Sequence, residues 1–184
     1  DLLAARSKLR GALQLRDDPA ARMMWRRMEV DPRVWSTSFG QHLMGVRFSP
    51  DGGTVAVAGE GRTLQLLDVQ TGAVREVLRG DQENVNSLAF TPDGRRLFSA
   101  AHDGSIQEWD PTTGEPLRPL DGHAELINDL DVDEKGRWLA SASLDQTLGV
   151  WNLDTGALIH RLETPGVEVT SARFDGEGKR LVSG

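Results

Sequence analysis

Three residues of types that can together perform nucleophilic catalysis lie close in the chain. Ser141 and Asp145 belong to the segment LASASLDQTLGVWN (139–152), and His123 lies upstream in LDGHAEL. A serine activated by a histidine that an aspartate orients is the arrangement of serine hydrolases. Such chemistry also needs an exposed nucleophile beside an oxyanion hole, commonly on a Gly-x-Ser-x-Gly turn between a strand and a helix. The segment has no such turn, so the sequence favours a structural role for the three residues.

Other reactive residues lack the spacing that cofactors require. The chain has no Cys, and its four His show no HxH or HxxxH spacing, which disfavours a transition-metal site. Gly178-Lys179-Arg180 lacks the Ser or Thr of a phosphate-binding loop, and DLDVDEKG (129–136) lacks the glycine and the final Glu of an EF-hand. We interpret 129–136 as an acidic surface between a strand and a turn. The sequence predicts no cofactor, no metal and no catalytic residue.

An internal repeat positions these side chains. Three segments superpose without a gap at a spacing of 42 residues, and ARFDGEGKRLVSG (172–184) begins a fourth copy. A repeat of this length is typical of folds in which similar units stack on one another. The spacing is visible at Phe48, Phe90, Val132 and Phe174, and again at Gly52, Gly94, Gly136 and Gly178.

Each copy has the pattern of an antiparallel β-sheet. In the second copy, short apolar runs alternate with turns at Pro-Asp-Gly, at Asp103-Gly104 and at Thr113-Gly114. Proline presets φ in such turns, and glycine accepts a positive φ. Four short runs with these turns between them in one repeat predict a four-stranded meander. The second run of the third copy is almost entirely apolar or small, which is typical of a strand covered on both faces.

The first 36 residues follow a different pattern. Apolar residues recur at helical spacing, Asp18-Pro19 provides an N-terminal cap, and Asp31-Pro32 ends the pattern, so we predict an α-helical hairpin. Residues 1–40 hold 8 Lys/Arg against 5 Asp/Glu, whereas residues 41–184 hold 13 against 23. An acidic second part argues against nucleic acid as a partner, because phosphates require a basic face. We expect the basic hairpin to be a packing or linker element.

The domain organisation follows from these patterns. We predict a helical linker over residues 1–36 and a repeat region over 37–184, with units at about 41–80, 81–122, 123–164 and, in part, 165–184. No apolar run approaches the roughly 20 residues that span a bilayer, and no signal peptide is recognisable. The sequence therefore predicts a soluble, cytoplasmic protein that binds no membrane.

The repeats resemble WD repeats (WD40), whose units build the four-stranded blades of β-propellers. The third copy has Gly122-His123 before the first strand, and the second copy has Gly80-Asp81 at the equivalent place. The first copy keeps the spacing and FSPDG but has lost nearly all the other marks of the family. The remaining matching residues are Ser141, Asp145 and Trp151 in the third copy and Ser99, Asp103 and Trp109 in the second.

The resemblance implies an all-β fold of WD40 propeller blades. We expect three four-stranded antiparallel blades, half of a fourth and therefore an incomplete ring, preceded by the helical hairpin. It also implies that His123, Ser141, Asp145 and Trp151 form a hydrogen-bonded tetrad that ties the third strand to the second, since buried polar groups must find partners. Ser99, Asp103 and Trp109 would be its counterparts in the second blade.

The resemblance further implies a scaffold for protein–protein interaction with no catalysis of its own. In WD repeats, partners engage the narrow end of the propeller, near the start of each first strand and just before the turn aspartate. We expect exposed Leu126 and Leu144 to form an apolar centre there with a polar rim. By position the candidate partner-binding residues are Met44, Glu60, Asn84, Asn86, His102, Leu126, Asn128, Leu144, Glu168 and Thr170.

The place of this chain in a larger protein is a further expectation. The N-terminal segment is similar to the linker that precedes WD repeats in bacterial Ser/Thr protein kinases and signalling NTPases, so the chain is expected to be a fragment of such a protein. Its partners would then be other proteins or the remaining blades of the same polypeptide, without nucleic acid or small molecules. The alternatives are the tail of an enzyme whose catalytic domain lies upstream, two chains sharing one ring, and a hydrolase that uses the propeller channel.

Overall fold

The computed structural model describes residues 35, 37, 39, 40, 42–61, 63–80 and 83–184. The predicted helical hairpin lies outside the described residues, except for Trp35 at its end. Asp81, which replaces the family's histidine in the second repeat, also lies outside them.

The described chain forms fourteen strands in four antiparallel sheets, and it contains no helix. Sheet I has the order β1-β2-β3-β4, sheet II β5-β6-β7-β8, sheet III β9-β10-β11-β12, and sheet IV pairs β13 with β14. These meanders confirm the predicted all-β class with WD40-like blades. The strands are β1 (Leu43–Phe48), β2 (Thr54–Gly59), β3 (Thr63–Asp68), β4 (Val74–Val77), β5 (Val85–Phe90), β6 (Leu97–Ala101), β7 (Ile106–Trp109), β8 (Pro116–Leu120), β9 (Ile127–Val132), β10 (Trp138–Ser143), β11 (Thr147–Asn152), β12 (Leu158–Glu163), β13 (Ala172–Phe174) and β14 (Leu181–Ser183).

Pro-Asp-Gly turns join the first and second strands of sheets I and II, and sheets III and IV have other turns ending in glycine at the same place. In the turn before β6, Gly94 has a φ of 70° and its N–H donates to the carbonyl of Thr91 at 2.8 Å. The side chain of Asp93 accepts from the hydroxyl of Thr91 at 2.6 Å and from the backbone of Arg95 at 3.1 Å. A left-handed residue at this place favours glycine, which explains why glycine recurs there in every copy.

The hydrophobic core lies between the sheets. The second strands β2, β6 and β10 are buried along nearly their whole length, as the sequence predicted. Leu66 of β3 and Trp109 of β7 belong to the core between sheets I and II, and Phe98 of β6 and Trp151 of β11 to the core between sheets II and III. Each sheet therefore buries its apolar residues against its neighbour, which is why the units stack.

Polar side chains also join sheets II and III. Glu108 of β7 is buried and forms ion pairs with Arg118 at 2.6 Å and with Arg96 at 3.5 Å. Both arginines also donate to the carbonyl of Leu153, in the turn after β11 of sheet III. The buried carboxylate is thus paired with two cations, as a low-dielectric interior requires.

The sheets have two distinct ends. The turns β2–β3, β6–β7 and β10–β11 lie at the same end as the loops that enter β1, β5, β9 and β13; we call this the His123 end. Backbone hydrogen bonds join these segments, for example from Leu144 N to Leu126 O at 2.9 Å and from His102 N to Asn84 O at 3.0 Å. The Pro-Asp-Gly turns lie at the opposite end.

Among the described residues, no helix is both long and apolar enough to cross a membrane.

Candidate functional site

A continuous chain of hydrogen bonds connects the four tetrad residues of sheet III. The indole N–H of Trp151 donates to Ser141 Oγ at 2.8 Å, and Ser141 Oγ lies 2.6 Å from His123 Nε2. On the other side of the ring, His123 Nδ1 lies 2.9 Å from Asp145 Oδ2. The imidazole thus donates from Nδ1 to the carboxylate and accepts a hydrogen bond from the serine hydroxyl at Nε2. The indole, the hydroxyl and both ring nitrogens of the tetrad therefore each have a partner.

The serine, histidine and aspartate have the distances of a catalytic triad, yet they cannot act as one. Ser141 is 0% exposed and lies in the middle of the buried strand β10. Its oxygen already accepts a hydrogen bond from the indole N–H of Trp151. A nucleophile must reach its substrate, and this one is covered on both faces of its sheet.

Burial and hydrogen bonding set the protonation of the tetrad in opposite ways. Burial lowers the pKa of His123 below its usual value, although Asp145 raises it. Burial alone would raise the pKa of Asp145, but hydrogen bonds from Thr147, Ala124 and His123 hold it well below its usual range. The pair is therefore a neutral imidazole beside an ionised carboxylate near pH 7.

Three residues that the sequence analysis did not single out complete this network. The hydroxyl of Thr147 donates to Asp145 Oδ1 at 2.6 Å, and Arg161 donates to Asp145 Oδ2 at 3.1 Å and to Gly122 O at 2.6 Å. A Cβ on Gly149 would lie 2.6 Å from Ser141 Oγ, so only glycine leaves room for the hydrogen bonds of the tetrad. The 42-residue period could not identify Gly149, since the second copy has Gln107 there.

The second sheet has the same contact between tryptophan and serine, while the position equivalent to His123 lies outside the described residues. Trp109 Nε1 donates to Ser99 Oγ at 2.8 Å, as its counterpart does in sheet III. Asp103, by contrast, is exposed and accepts from the hydroxyl and backbone N–H of Ser105 at 2.6 and 3.0 Å. Equivalent aspartates in two repeats thus have different surroundings, one buried in a network and one in a turn.

Three of the candidate partner-binding residues link neighbouring sheets instead of pointing freely into solvent. Asn86 Nδ2 donates to Ile127 O at 3.2 Å, and Asn128 Nδ2 donates to Val169 O at 3.0 Å, one repeat further on. Asn84 Oδ1 accepts from Gly61 N of the preceding sheet at 3.0 Å. These amides fix the relative positions of the loops at the His123 end.

The other candidates all lie at the His123 end and differ in exposure. Leu126 and Leu144 are half-buried rather than exposed, and their backbones are joined by the hydrogen bond from Leu144 N to Leu126 O. Their predicted role in binding stays a prediction. Met44, Glu168 and Thr170 are exposed, and Glu60 and His102 are half-buried.

The interpretation of residues 129–136 as acidic surface is wrong for two of its carboxylates. Asp129 and Asp133 are both 0% exposed. Asp129 forms an ion pair with Arg173 of β13 and so joins sheets III and IV, whereas Asp133 accepts from the backbone of Arg137 at 2.6 Å. Sequence alone did not indicate this, because the paired arginine lies a full repeat away.

The comparisons with known proteins agree with the fold. Residues 72–110 and 114–152 match a family model described as WD domain, G-beta repeat. Each matched segment begins just before the fourth strand of one sheet and ends after the third strand of the next, so each sequence repeat spans two adjacent sheets. The match supports the WD repeat family. No curated protein matches the chain.

Proposed function

We propose that this chain is a WD-repeat scaffold that binds a partner protein at its His123 end. WD40 domains are generally scaffolds for proteins and not enzymes. The observation that carries the proposal is the set of inter-sheet hydrogen bonds from Asn84, Asn86 and Asn128. They hold loops from separate sheets in one rigid surface, and a preorganised surface loses less entropy on binding.

The chemistry of the tetrad supports a scaffold over a hydrolase. Ser141, His123 and Asp145 are the described residues whose arrangement most resembles a catalytic site, and all three are committed to internal hydrogen bonds. We propose for them a structural role, which is to fix the loop that enters β9. Met44, Glu168 and Thr170 are proposed as exposed contacts of the partner.

The wider context is also part of the proposal. We propose that the chain belongs to a larger bacterial signalling protein, joined through residues 1–36 to a kinase or NTPase, and that further strands complete sheet IV. The likeness of the N-terminal segment to linkers of such proteins supports the first part. The two strands of sheet IV, where the other sheets have four, support the second. The gene sequence on either side of this chain tests both.

A photo-crosslinking experiment tests the scaffold function. A photoreactive residue is introduced at Met44, at the His123 end, and in a matched variant at exposed Glu134, at the opposite end. We expect a protein from the source organism to crosslink to the Met44 variant and not to the Glu134 variant. That protein, once purified, should bind the unmodified chain saturably. Equal crosslinking at both ends, or no saturable binding, would contradict the proposal.

A further inference from the structure

Val167 is an exposed apolar residue in the loop between β12 and β13, at the His123 end. We call Val167, together with the half-buried Leu126 and Leu144 of the adjoining segments, the Val167 patch. Val167 is 60% exposed, among the most exposed large apolar side chains of the described residues. The backbones of Leu126 and Leu144 pair next to it, and Val169 N donates to Ser143 O at 3.2 Å, so the loop that carries Val167 adjoins the other two.

The loop that presents Val167 is held in one conformation. Val167 N donates to Thr164 O at 3.0 Å, and the hydroxyl of Thr164 donates to Val167 O at 2.9 Å. Gln146 fixes this turn from the neighbouring sheet, because its side chain accepts from Gly166 N at 2.7 Å and its carbonyl accepts from Thr164 N at 2.8 Å. Gln146 does so with a φ of 62°, a conformation that favours glycine. Gln146 thus holds the turn that presents Val167 to solvent.

The charges around the patch define what would bind it. Glu125 and Glu168 adjoin Leu126 and Val167 in sequence, both are exposed, and the structure gives their carboxylates no ion-pair partner among the described residues. Arg161 is close by, but Asp145 and Gly122 O already occupy its guanidinium.

Exposed carboxylates without an ion-pair partner among the described residues also occur at the opposite end, at Glu115 and Glu134, so these two residues provide a matched control. What distinguishes the His123 end around Val167 is that two such carboxylates adjoin an exposed aliphatic side chain in the patch. Such a surface complements a segment that carries apolar and cationic side chains together.

We propose that the Val167 patch binds a cationic amphipathic segment of the partner protein, with an aliphatic anchor on Val167 and Lys or Arg beside Glu125 and Glu168. This inference rests on the proposed scaffold function and specifies the chemistry of the partner. An anionic segment would place like charges beside both carboxylates, and an uncharged segment would place apolar groups there. Both arrangements weaken binding.

Peptide binding to the whole chain tests the proposal. The probes are a short synthetic peptide of alternating Lys and Leu and a matched peptide of alternating Glu and Leu, measured by calorimetry. We expect the Lys/Leu peptide to bind more tightly and the Glu/Leu peptide not to bind. The double variant Glu125→Gln/Glu168→Gln should bind about fivefold more weakly, the effect of losing two solvent-exposed charge pairs. The control Glu115→Gln/Glu134→Gln makes the same change in charge at the opposite end and should leave affinity unchanged.

A second pair of variants tests the apolar anchor. Val167→Ser should weaken binding by about tenfold, the value for one aliphatic side chain removed from water. Leu117→Ser, on the exposed edge strand β8, is its control and should have no effect. Equal losses in both carboxylate variants would show non-specific attraction to an acidic chain and would overturn the proposal. A change in the oligomeric state of Val167→Ser without peptide would identify a self-association surface instead, and would also overturn it.

The peptide experiment and the crosslinking experiment can fail independently, so a failure of the cationic-segment proposal is distinguishable from a failure of the scaffold proposal. Crosslinking at Met44 together with indifference to the variants at Glu125 and Glu168 would leave the scaffold proposal intact and reject only the cationic segment. Specific peptide binding without any crosslinked protein would support the preference of the patch for cationic segments and contradict the scaffold function.

Discussion

Replacing Gly149 by alanine tests the tetrad as a packed structural unit. The new Cβ would lie 2.6 Å from Ser141 Oγ, 2.8 Å from Trp151 Nε1 and 3.1 Å from His123 Nε2. Ordinary contacts begin near 3.4 Å, so the serine oxygen must move by about 0.8 Å in a close-packed interior. A movement of that size breaks at least one of the hydrogen bonds that meet at this oxygen.

The expected cost can be worked from these contacts. Overpacking costs about 1–3 kcal/mol and an unpaired buried polar group costs about 1–3 kcal/mol, while the lower backbone entropy of alanine returns about 0.5–1 kcal/mol. We expect a net loss of about 3 kcal/mol in the free energy of unfolding, which lowers Tm by about 6–12 °C in a chain of this size.

Thermal and urea unfolding, followed by tryptophan fluorescence, measure this loss. The matched control is Gly176→Ala, whose Cβ would meet only the exposed carboxylate of Glu134, at 3.4 Å. The control should unfold within about 0.5 kcal/mol of the wild type, as surface substitutions do. If Gly149→Ala unfolds like the control, the tetrad is not packed as described and the reasoning fails.

Two further predictions concern the same network. Asp145→Ala should cost about 3 kcal/mol of stability because it leaves buried donors unpaired. Asp103→Ala at the equivalent place should cost about 1 kcal/mol or less, since Asp103 is exposed. Urea unfolding of both variants measures the difference, and equal losses would contradict it. Stability should also fall as the pH drops below about 6.5, because burial lowers the pKa of His123 and the unfolded chain binds that proton first. The free energy of unfolding at pH 7.5 and at pH 5.5 measures this loss, and the loss should be smaller in His123→Gln. If that variant loses as much stability between the two pH values as the wild type, groups other than His123 cause the loss.

Much of the fold could be predicted because its causes are local. The turn glycines, the Pro-Asp-Gly segments and the short apolar runs determine where strands begin and end, and the 42-residue period places equivalent strands in each sheet. Gly94 illustrates this, since the sequence predicts a positive φ there and the structure has 70°. Local preferences and the repeat point to the same structure, which is typical of foldable sequences.

The interactions between sheets could not be predicted in the same way. The burial of Asp129 depends on Arg173, and that of Glu108 depends on Arg96 and Arg118. These partners do not recur at the repeat period, so no pattern marks them. Asp103 and Asp145 are one period apart, yet their hydrogen-bond partners among the described residues differ, because Asp103 accepts from Ser105 and Asp145 accepts from Ala124 as well as lying beside His123.

The network of sheet III does more than stabilise a sheet. Leu67 occupies the place of Trp109 and Trp151 in sheet I and is as fully buried, so a sheet forms there without the tetrad's tryptophan. What sheet III gains is a fixed loop, because Asp145 accepts from Ala124 N at 3.0 Å and Arg161 donates to Gly122 O.

That loop carries the surface proposed for binding. Glu125 and Leu126 follow directly on Ala124, so the hydrogen bonds of Asp145 position one side of the Val167 patch. The hydroxyl of Ser143 strengthens this by donating to the carbonyls of Glu125 and Leu126 at 3.1 and 3.0 Å. In the proposed binding, this buried Ser-His-Asp arrangement would contribute to recognition, since it holds the loop in the conformation that a partner would meet.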